Sequence, residues 1–113
     1  MTPVLLHYSR CSKSRQALSF LNEKGIQVRV LEYVKDGIDA DDVVRLSKAL
    51  SLHPSEFIRK NEPAYKALET DEFSIEEWSD IIEKNPILLQ RPILWVGNQA
   101  VIARPCEAML TLL

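Results

Sequence analysis

The sequence predicts a mixed α/β fold in which a β-α-β unit opens the chain, a helical insert follows, and a β-β-α unit closes it. Three observations predict this order. The first third holds an apolar run, a helix-like pattern and a second apolar run; the middle has helix-capping residues and no strand-like alternation; two apolar runs near the end flank a tight-turn pair. At 113 residues, the chain is long enough for one domain with a substantial core.

The opening segments fit two strands joined by a helix. TPVLLHYS is a short apolar run that ends in polar residues, as a buried strand does before it feeds a helix. From about Ser12, apolar residues recur at helical spacing as far as Gly25, which can adopt the conformation that ends a helix. IQVRVLEYV then alternates apolar and polar positions and predicts a strand with one covered face. Two strands joined by a helix in so few residues should lie parallel.

The middle of the chain is predicted to be helical. Asp39 is placed to cap one helix, and Pro54 suits the first turn of another. The SIEE segment at 74–77 has the Ser and Glu of a capping box ahead of a further helix, which ends at Asn85-Pro86. We therefore expect a helical insertion at approximately residues 38–84.

The end of the chain predicts a hairpin and a last helix. ILLQRPILWV and AVIA flank Gly97-Asn98, a pair that suits a tight antiparallel turn. Pro105 can open a terminal helix. The complete order of elements matches the thioredoxin plan with an insertion, so the sequence predicts a single thioredoxin-like domain over residues 1–113, with a mixed four-stranded sheet.

Composition and charge narrow the classes of function. The formal charge of -2 and the pI near 5.7 argue against a general nucleic-acid surface, which needs a net basic face. No apolar run is long enough to cross a bilayer, which argues against a membrane protein. The first residues lack the pattern of a secretory signal, so we expect a cytoplasmic protein whose two cysteines are reduced.

Basic residues surround one cysteine in the segment HYSRCSKSR. Cys11 falls where the first strand meets the first helix, and a helix N-terminus beside cations lowers a thiol's pKa because both favour the anion. The Ser14 hydroxyl could donate a hydrogen bond to the sulfur, and His7 could add positive charge. The alternative is a small buried thiol beside solvated cations. The polar strand-to-helix junction favours an activated thiolate.

The second cysteine of a CxxC pair is absent, because position 14 is Ser14. No local disulfide can close, and an external thiol would have to complete a redox cycle. Cys106, near the start of the last helix, is the other candidate. It could approach the site or be a thiol at the edge of the core, and spacing does not decide between them.

Three arginines stand at the edges of apolar segments: Arg59, Arg91 and Arg104. The planar guanidinium group suits bidentate binding of oxyanions, although an arginine taken singly is most often a solvated surface residue. In a thioredoxin-like fold, the residue before the third-strand proline, commonly cis, faces the N-terminus of the first helix. Arg91-Pro92 fits that position.

These residues resemble a known family, the glutaredoxin-dependent arsenate reductases, over essentially the whole chain. The nucleophile segment matches at His7, Cys11, Ser14 and Arg15, and the three arginine segments match at FIRKNEPAY, NPILLQRPI and ARPCE. The chain departs from the family where Tyr8-Ser9 replaces the usual Asn-Pro.

The resemblance implies a thioredoxin-like fold and roles for individual residues. Cys11 would be the nucleophile that attacks arsenate, supported by Ser14 and His7, and three arginines would bind the oxyanion: Arg59, Arg91 and Arg104. The thiol-arsenate adduct would react with glutathione as co-substrate, and arsenite release would leave a mixed disulfide that glutaredoxin reduces. No metal or bound cofactor is implied, since two distant cysteines and two histidines do not readily form a zinc site.

Two other classes of function remain open. Spx-type transcription factors resemble this family and bind RNA polymerase, but they use a CxxC switch that Ser14 interrupts. A thiol-transfer protein could form mixed disulfides with glutathione and use the arginines to bind its carboxylates. A glutathionylated Cys11 without arsenate turnover would point to the second class.

Overall fold

The computed structural model describes residues 1–113. None of its helices is long and apolar enough to cross a membrane. The elements follow in chain order: β1 (Val4–Leu6), α1 (Ser12–Glu23), β2 (Arg29–Leu31), α2 (Tyr33–Asp36), α3 (Ala40–Leu50), a 3₁₀ helix (Pro54–Phe57), α4 (Pro63–Lys66), α5 (Ile75–Lys84), a 3₁₀ helix (Pro86–Leu88), β3 (Ile93–Val96), β4 (Gln99–Ile102) and a C-terminal 3₁₀ helix (Cys106–Leu112).

The four strands form one mixed sheet in the order β2-β1-β3-β4. β1 pairs parallel with β2, while β3 pairs antiparallel with both β1 and β4. The hairpin between β3 and β4 turns at Gly97, whose φ of 63° lies in the left-handed region that glycine adopts readily. The predicted thioredoxin-like arrangement of the sheet is confirmed.

The sheet separates two hydrophobic cores. Successive side chains of a strand point to opposite faces, so Leu5 and Leu6 of β1 enter different cores. Leu5 packs with Leu94 against α1 and the C-terminal 3₁₀ helix, and Leu6 packs with Ile93 against the helices between β2 and β3. Because both faces are covered, β1 and the start of β3 read as continuous apolar runs.

The predicted helix boundaries hold where capping residues are present. Ser74 and Glu77 form the expected capping box of α5, which ends before its C-cap, Asn85. Asp39 occupies the N-cap of α3, but its side chain makes no capping hydrogen bond. The segments opened by Pro54 and by Pro105 are 3₁₀ rather than α-helices.

The second strand is shorter than its alternating pattern predicts. Of IQVRVLEYV, only Arg29–Leu31 is a strand, and its central Val30 is 39% exposed. β2 is the edge of the sheet, which explains why one apolar position reaches solvent. The chain then turns into α2, where Tyr33 is fully buried.

Leu94→Ala is expected to lower the free energy of unfolding by about 2 to 5 kcal/mol, because a fully buried leucine leaves a cavity when it is truncated. Leu110→Ala is the matched control: Leu110 is 49% exposed, so its truncation should change stability by no more than about 0.5 kcal/mol. Urea denaturation measures both. Equal effects of the two substitutions would contradict the placement of Leu94 in the core.

Candidate active site

One end of the sheet brings together three of the residues that the sequence predicts for the site: His7, Arg91 and Arg104. His7 follows β1 directly, and its main-chain N–H donates to the carbonyl of Leu31 at the end of β2 (2.9 Å). Arg91 precedes β3 and Arg104 follows β4. Since β3 runs antiparallel to both neighbours, the end of β1, the start of β3 and the end of β4 lie side by side at this end of the sheet.

Cys11 is the N-cap residue of α1, with extended backbone angles (φ -94°, ψ 122°). The thiol is half-buried, and Arg104 Nη2 donates a hydrogen bond to its sulfur at 3.4 Å. Burial by itself raises the pKa of Cys11. The main-chain N–H groups of Ser14 and Lys13 and the guanidinium groups of Arg91 and Arg104 outweigh burial, so the pKa lies below its usual value.

The hydroxyl of Ser14 does not make the expected hydrogen bond to the sulfur. It accepts the main-chain N–H of Tyr8 (3.0 Å) and shares a 2.6 Å hydrogen bond with His7 Nδ1. Ser14 supports the thiolate through its main-chain N–H instead. Its buried side chain ties the loop before Cys11 to the first turn of α1.

Burial works against the positive charge that the sequence suggests for His7. The side chain is 5% exposed, and burial lowers its pKa, with Glu32 and Ser14 offsetting part of the effect. The lowered pKa favours the uncharged form of the imidazole. Its structural contact is the hydrogen bond to Ser14, which holds the loop beside Cys11.

Arg91 and Arg104 are neighbours, because the strands that follow Arg91 and precede Arg104 are paired. Arg104 Nε donates to the main-chain carbonyl of Arg91 at 2.7 Å, next to the pairing of Ile93 with Ile102. Both arginines precede a cis proline, so the predicted cis bond at Arg91-Pro92 is confirmed. The same side chain of Arg104 thus contacts both the backbone of Arg91 and the sulfur of Cys11.

Arg59 reaches the site through a short antiparallel pairing outside the main sheet. Ile58 and Leu89 form a β-bridge, and the main-chain N–H of Arg59 donates to the carbonyl of Leu88 at 2.7 Å. Arg59 Nη1 donates to Gln90 Oε1 (2.9 Å), which also accepts the N–H of Arg91 (3.1 Å). One amide side chain therefore links the guanidinium group of Arg59 to the backbone of Arg91.

The Glu62 carboxylate, which no motif in the sequence marks as a site residue, lies between Arg59 and Arg91. Glu62 Oε2 accepts from Arg59 Nε at 3.1 Å and lies 3.9 Å from Arg91 Nη2. Glu62 is three residues after Arg59 in the chain, but nothing in the sequence indicates that it also faces Arg91. The contact depends on the pairing of two distant segments.

Arg91 has donor capacity that the protein does not use. It is 5% exposed, and its buried Nε has no hydrogen-bond partner. Nη1 donates to the carbonyl of Ile87 at 3.1 Å. A buried guanidinium N–H without an acceptor is costly in a folded protein, and a bound anion is one way to satisfy it. The arrangement can accept an oxyanion beside the Cys11 sulfur.

Two tyrosines complete the surroundings of the site. The Arg91 guanidinium lies over the ring of Tyr8, 4.6 Å from its centroid. Tyr33 is fully buried and donates to the carbonyl of Leu89 at 2.6 Å. Burial raises the pKa of Tyr33 to about 12, against the opposing effect of Arg91 and Arg59. Tyr8 stands where the sequence departs from the family pattern, which is the one signal that could have identified it.

Cys106 has the opposite electrostatic setting to Cys11. Its Sγ donates to Glu107 Oε1 at 3.3 Å, and burial together with Glu107 raises its pKa. It lines a cavity of about 220 Å³ with Arg104 and Gln16, beside α1. Both cysteines are free thiols.

Iodoacetamide is expected to label Cys11 faster than Cys106 at neutral pH, because the thiolate is the reactive form and the two pKa values shift in opposite directions. Peptide mass spectrometry separates the two rates. Arg104→Gln should move the midpoint of Cys11 labelling to higher pH and leave that of Cys106 in place. Faster labelling of Cys106 would contradict the assignment of Cys11 as the thiolate.

The fold and the site together define a thioredoxin-like protein with one thiolate-stabilised cysteine beside a group of arginines. The sequence profile of the ArsC family matches residues 6–112, and the chain belongs to that family. The family resemblance predicted from the motifs is confirmed.

Individual relatives span essentially the full chain. The uncharacterized protein YfgD of Escherichia coli K12 is 36% identical over 109 residues, covering 94% of this chain and 92% of its own. The arsenate reductase of Haemophilus influenzae is 30% identical over 116 residues, with all of both chains covered. Among solved structures, the arsenate reductase from Vibrio cholerae superposes with a TM-score of 0.93 at 31% identity, covering 100% of this chain and 98% of the other.

Proposed function

We propose that the protein reduces arsenate, or a similar oxyanion, through a covalent adduct on Cys11, with glutathione as co-substrate and glutaredoxin as partner. The observation that carries the proposal is the 3.4 Å contact between Arg104 Nη2 and the Cys11 sulfur. The same guanidinium that stabilises the thiolate can hold an oxygen of the anion that the thiolate attacks. The names of the relatives from Haemophilus and Vibrio point to the same substrate.

The first step forms a sulfur–arsenic bond. The Cys11 thiolate attacks the arsenic of a bound arsenate, one arsenic–oxygen bond breaks, and the oxygen leaves as water after taking up protons. Arsenic stays in its oxidised state in this adduct. Three arginines would hold the remaining oxygens and stabilise the charge on them: Arg59, Arg91 and Arg104.

The second step transfers two electrons to arsenic. The glutathione thiolate attacks the Cys11 sulfur, a sulfur–sulfur bond forms, and the sulfur–arsenic bond breaks. Its electron pair stays on arsenic, which leaves as arsenite. Glutaredoxin then reduces the mixed disulfide between Cys11 and glutathione by thiol–disulfide exchange. An external reductant is required because Ser14 occupies the position of a second local cysteine.

Ser14 and His7 have supporting roles in this mechanism. The Ser14 main-chain N–H stabilises the thiolate, and its hydroxyl holds the loop through His7 and Tyr8. His7 is buried and its side chain hydrogen-bonds Ser14, so we assign it a positioning role. A cytoplasmic location fits a cycle that depends on reduced thiols.

Arsenate-dependent oxidation of NADPH, coupled through glutathione reductase, tests the proposal. The assay contains the native protein, glutathione, glutaredoxin and arsenate, and each of the last three is omitted in turn. We expect NADPH consumption only when all are present. Arg104→Gln should lower kcat/KM by about 10- to 100-fold, as expected for the loss of one charge-assisted contact.

Two other results would change the proposed function. Turnover in the absence of glutaredoxin would remove that partner from the mechanism. No turnover under any condition, with Cys11 still forming a mixed disulfide with glutathione, would favour a thiol-transfer protein over an oxyanion reductase.

A further inference from the structure

Glu62 places a negative charge inside a group of positive ones. Its side chain is 18% exposed, and Oε2 alone contacts both Arg59 Nε and Arg91 Nη2. An ionised carboxylate accepts hydrogen bonds at both oxygens and donates none. Since only Oε2 is engaged by the two guanidinium groups, acceptor capacity remains on Oε1. A ligand that binds between these arginines would therefore meet a hydrogen-bond acceptor as well as donors.

This arrangement distinguishes between oxyanions of similar shape. An oxyanion with a hydroxyl group can donate to the carboxylate while its other oxygens accept from the arginines. A fully deprotonated oxyanion can only bring one of its oxygens against the carboxylate, so two acceptors face each other without a proton between them. Such mismatches of buried polar groups discriminate strongly between analogues.

The net charge of the site also favours an oxyanion that carries a proton. The site holds three guanidinium groups, the Glu62 carboxylate and the Cys11 thiolate, whose charges sum to about one positive unit when each is ionised. A singly charged oxyanion neutralises that excess, whereas a doubly charged one leaves a net negative site. Arg91 is buried, and its interactions are stronger for that reason because solvent screens them less.

We infer that Glu62 is a specificity-determining residue that selects oxyanions carrying a hydroxyl group, such as arsenate and phosphate near neutral pH, and rejects sulfate. The inference rests on the oxyanion pocket of the proposed function and assigns its selectivity to one carboxylate. The hydroxyl of the bound anion donates to Glu62, and the deprotonated oxygens accept from the arginines.

Protection of Cys11 against alkylation measures this selectivity without any turnover. The rate of iodoacetamide labelling of Cys11 is followed by peptide mass spectrometry at constant pH and ionic strength, with increasing phosphate in one series and increasing sulfate in the other. Thiols reduce neither anion under these conditions. Labelling of Cys106 in the same sample is the internal control for general salt effects.

The wild-type protein should be protected at a lower concentration of phosphate than of sulfate. Glu62→Gln should reduce this preference by about tenfold or more, since the amide removes the charge and supplies a donor for sulfate. Glu62→Asp, which keeps the carboxylate, should retain a preference for phosphate. Glu69→Gln, an exposed carboxylate outside the arginine group, should leave the preference unchanged. Because the two anions are compared within each variant, a change in thiol reactivity cancels.

An unchanged preference in Glu62→Gln would overturn the inference, as would equal protection of the wild type by both anions or protection by neither. The outcome is separable from that of the coupled assay. A protein that shows the Glu62-dependent preference but no arsenate turnover keeps the specificity assignment and loses the reductase proposal.

Discussion

Cys11→Ser is expected to lower arsenate-dependent turnover by at least about 10³-fold, to the background of the coupled assay. A serine hydroxyl does not ionise near neutral pH. The surroundings that lower the pKa of Cys11 therefore cannot turn a serine at this position into a reactive anion. The hydroxyl also cannot form the mixed disulfide on which release of arsenite depends. Steady-state NADPH oxidation with saturating glutathione and glutaredoxin measures the loss.

Cys106→Ser is the matched control, because it makes the same chemical change at a thiol whose pKa is raised rather than lowered. It should retain wild-type turnover. Residual activity in Cys11→Ser of about a tenth of wild type or more would show that another group attacks arsenate. Loss of activity in Cys106→Ser alone would assign the redox chemistry to the other thiol.

Arg91→Ala is expected to lower kcat/KM for arsenate by about 10² to 10³-fold. Arg91 is buried, its Nε has no partner in the protein, and its guanidinium contributes to the low pKa of Cys11. The substitution therefore weakens both oxyanion binding and thiolate stabilisation. Part of the loss should appear in kcat, because the charge on the oxygens develops further in the transition state.

Two further variants separate chemistry from folding. Arg91→Lys keeps the charge without the planar fork and should recover only a small part of kcat/KM. Lys60→Ala removes a neighbouring exposed cation and should have no effect on either kinetic constant. Thermal unfolding of each variant reports whether the buried site still folds. A folded Arg91→Ala protein with wild-type kcat/KM would exclude Arg91 as an oxyanion ligand.

Local patterns in the sequence were sufficient for most of the fold. Capping residues such as Ser74 and Glu77 act within one turn of helix, so their pattern predicts the start of α5 directly. The Gly97-Asn98 turn is local for the same reason. β2 was predicted too long, because its alternation does not reveal that it lies at the edge of the sheet or that Tyr33 starts a helix.

The candidate site, like the fold, could be predicted from the sequence only where it depends on local patterns. Cys11 follows from its place before a helix, and the arginines from the motifs that surround them. The partners that arrange those arginines depend on contacts between distant segments, as Gln90 and Glu62 do through the pairing of Ile58 with Leu89. Burial also works against an expectation, since it lowers the pKa of His7 where its residue type suggests a positive charge. No spacing in the sequence reports burial of this kind.

A single-turnover experiment shows whether the Cys11 thiolate reduces arsenate through its own sulfur. The reduced protein is mixed with arsenate and glutathione in the absence of glutaredoxin, then quenched, and both arsenite and the modified peptides are quantified. We expect about one arsenite per protein together with an equal amount of glutathione on Cys11, since one electron pair passes from sulfur to arsenic for each mixed disulfide formed. Arsenite without modified Cys11, or glutathione on Cys11 in equal amount when arsenate is omitted, would contradict it.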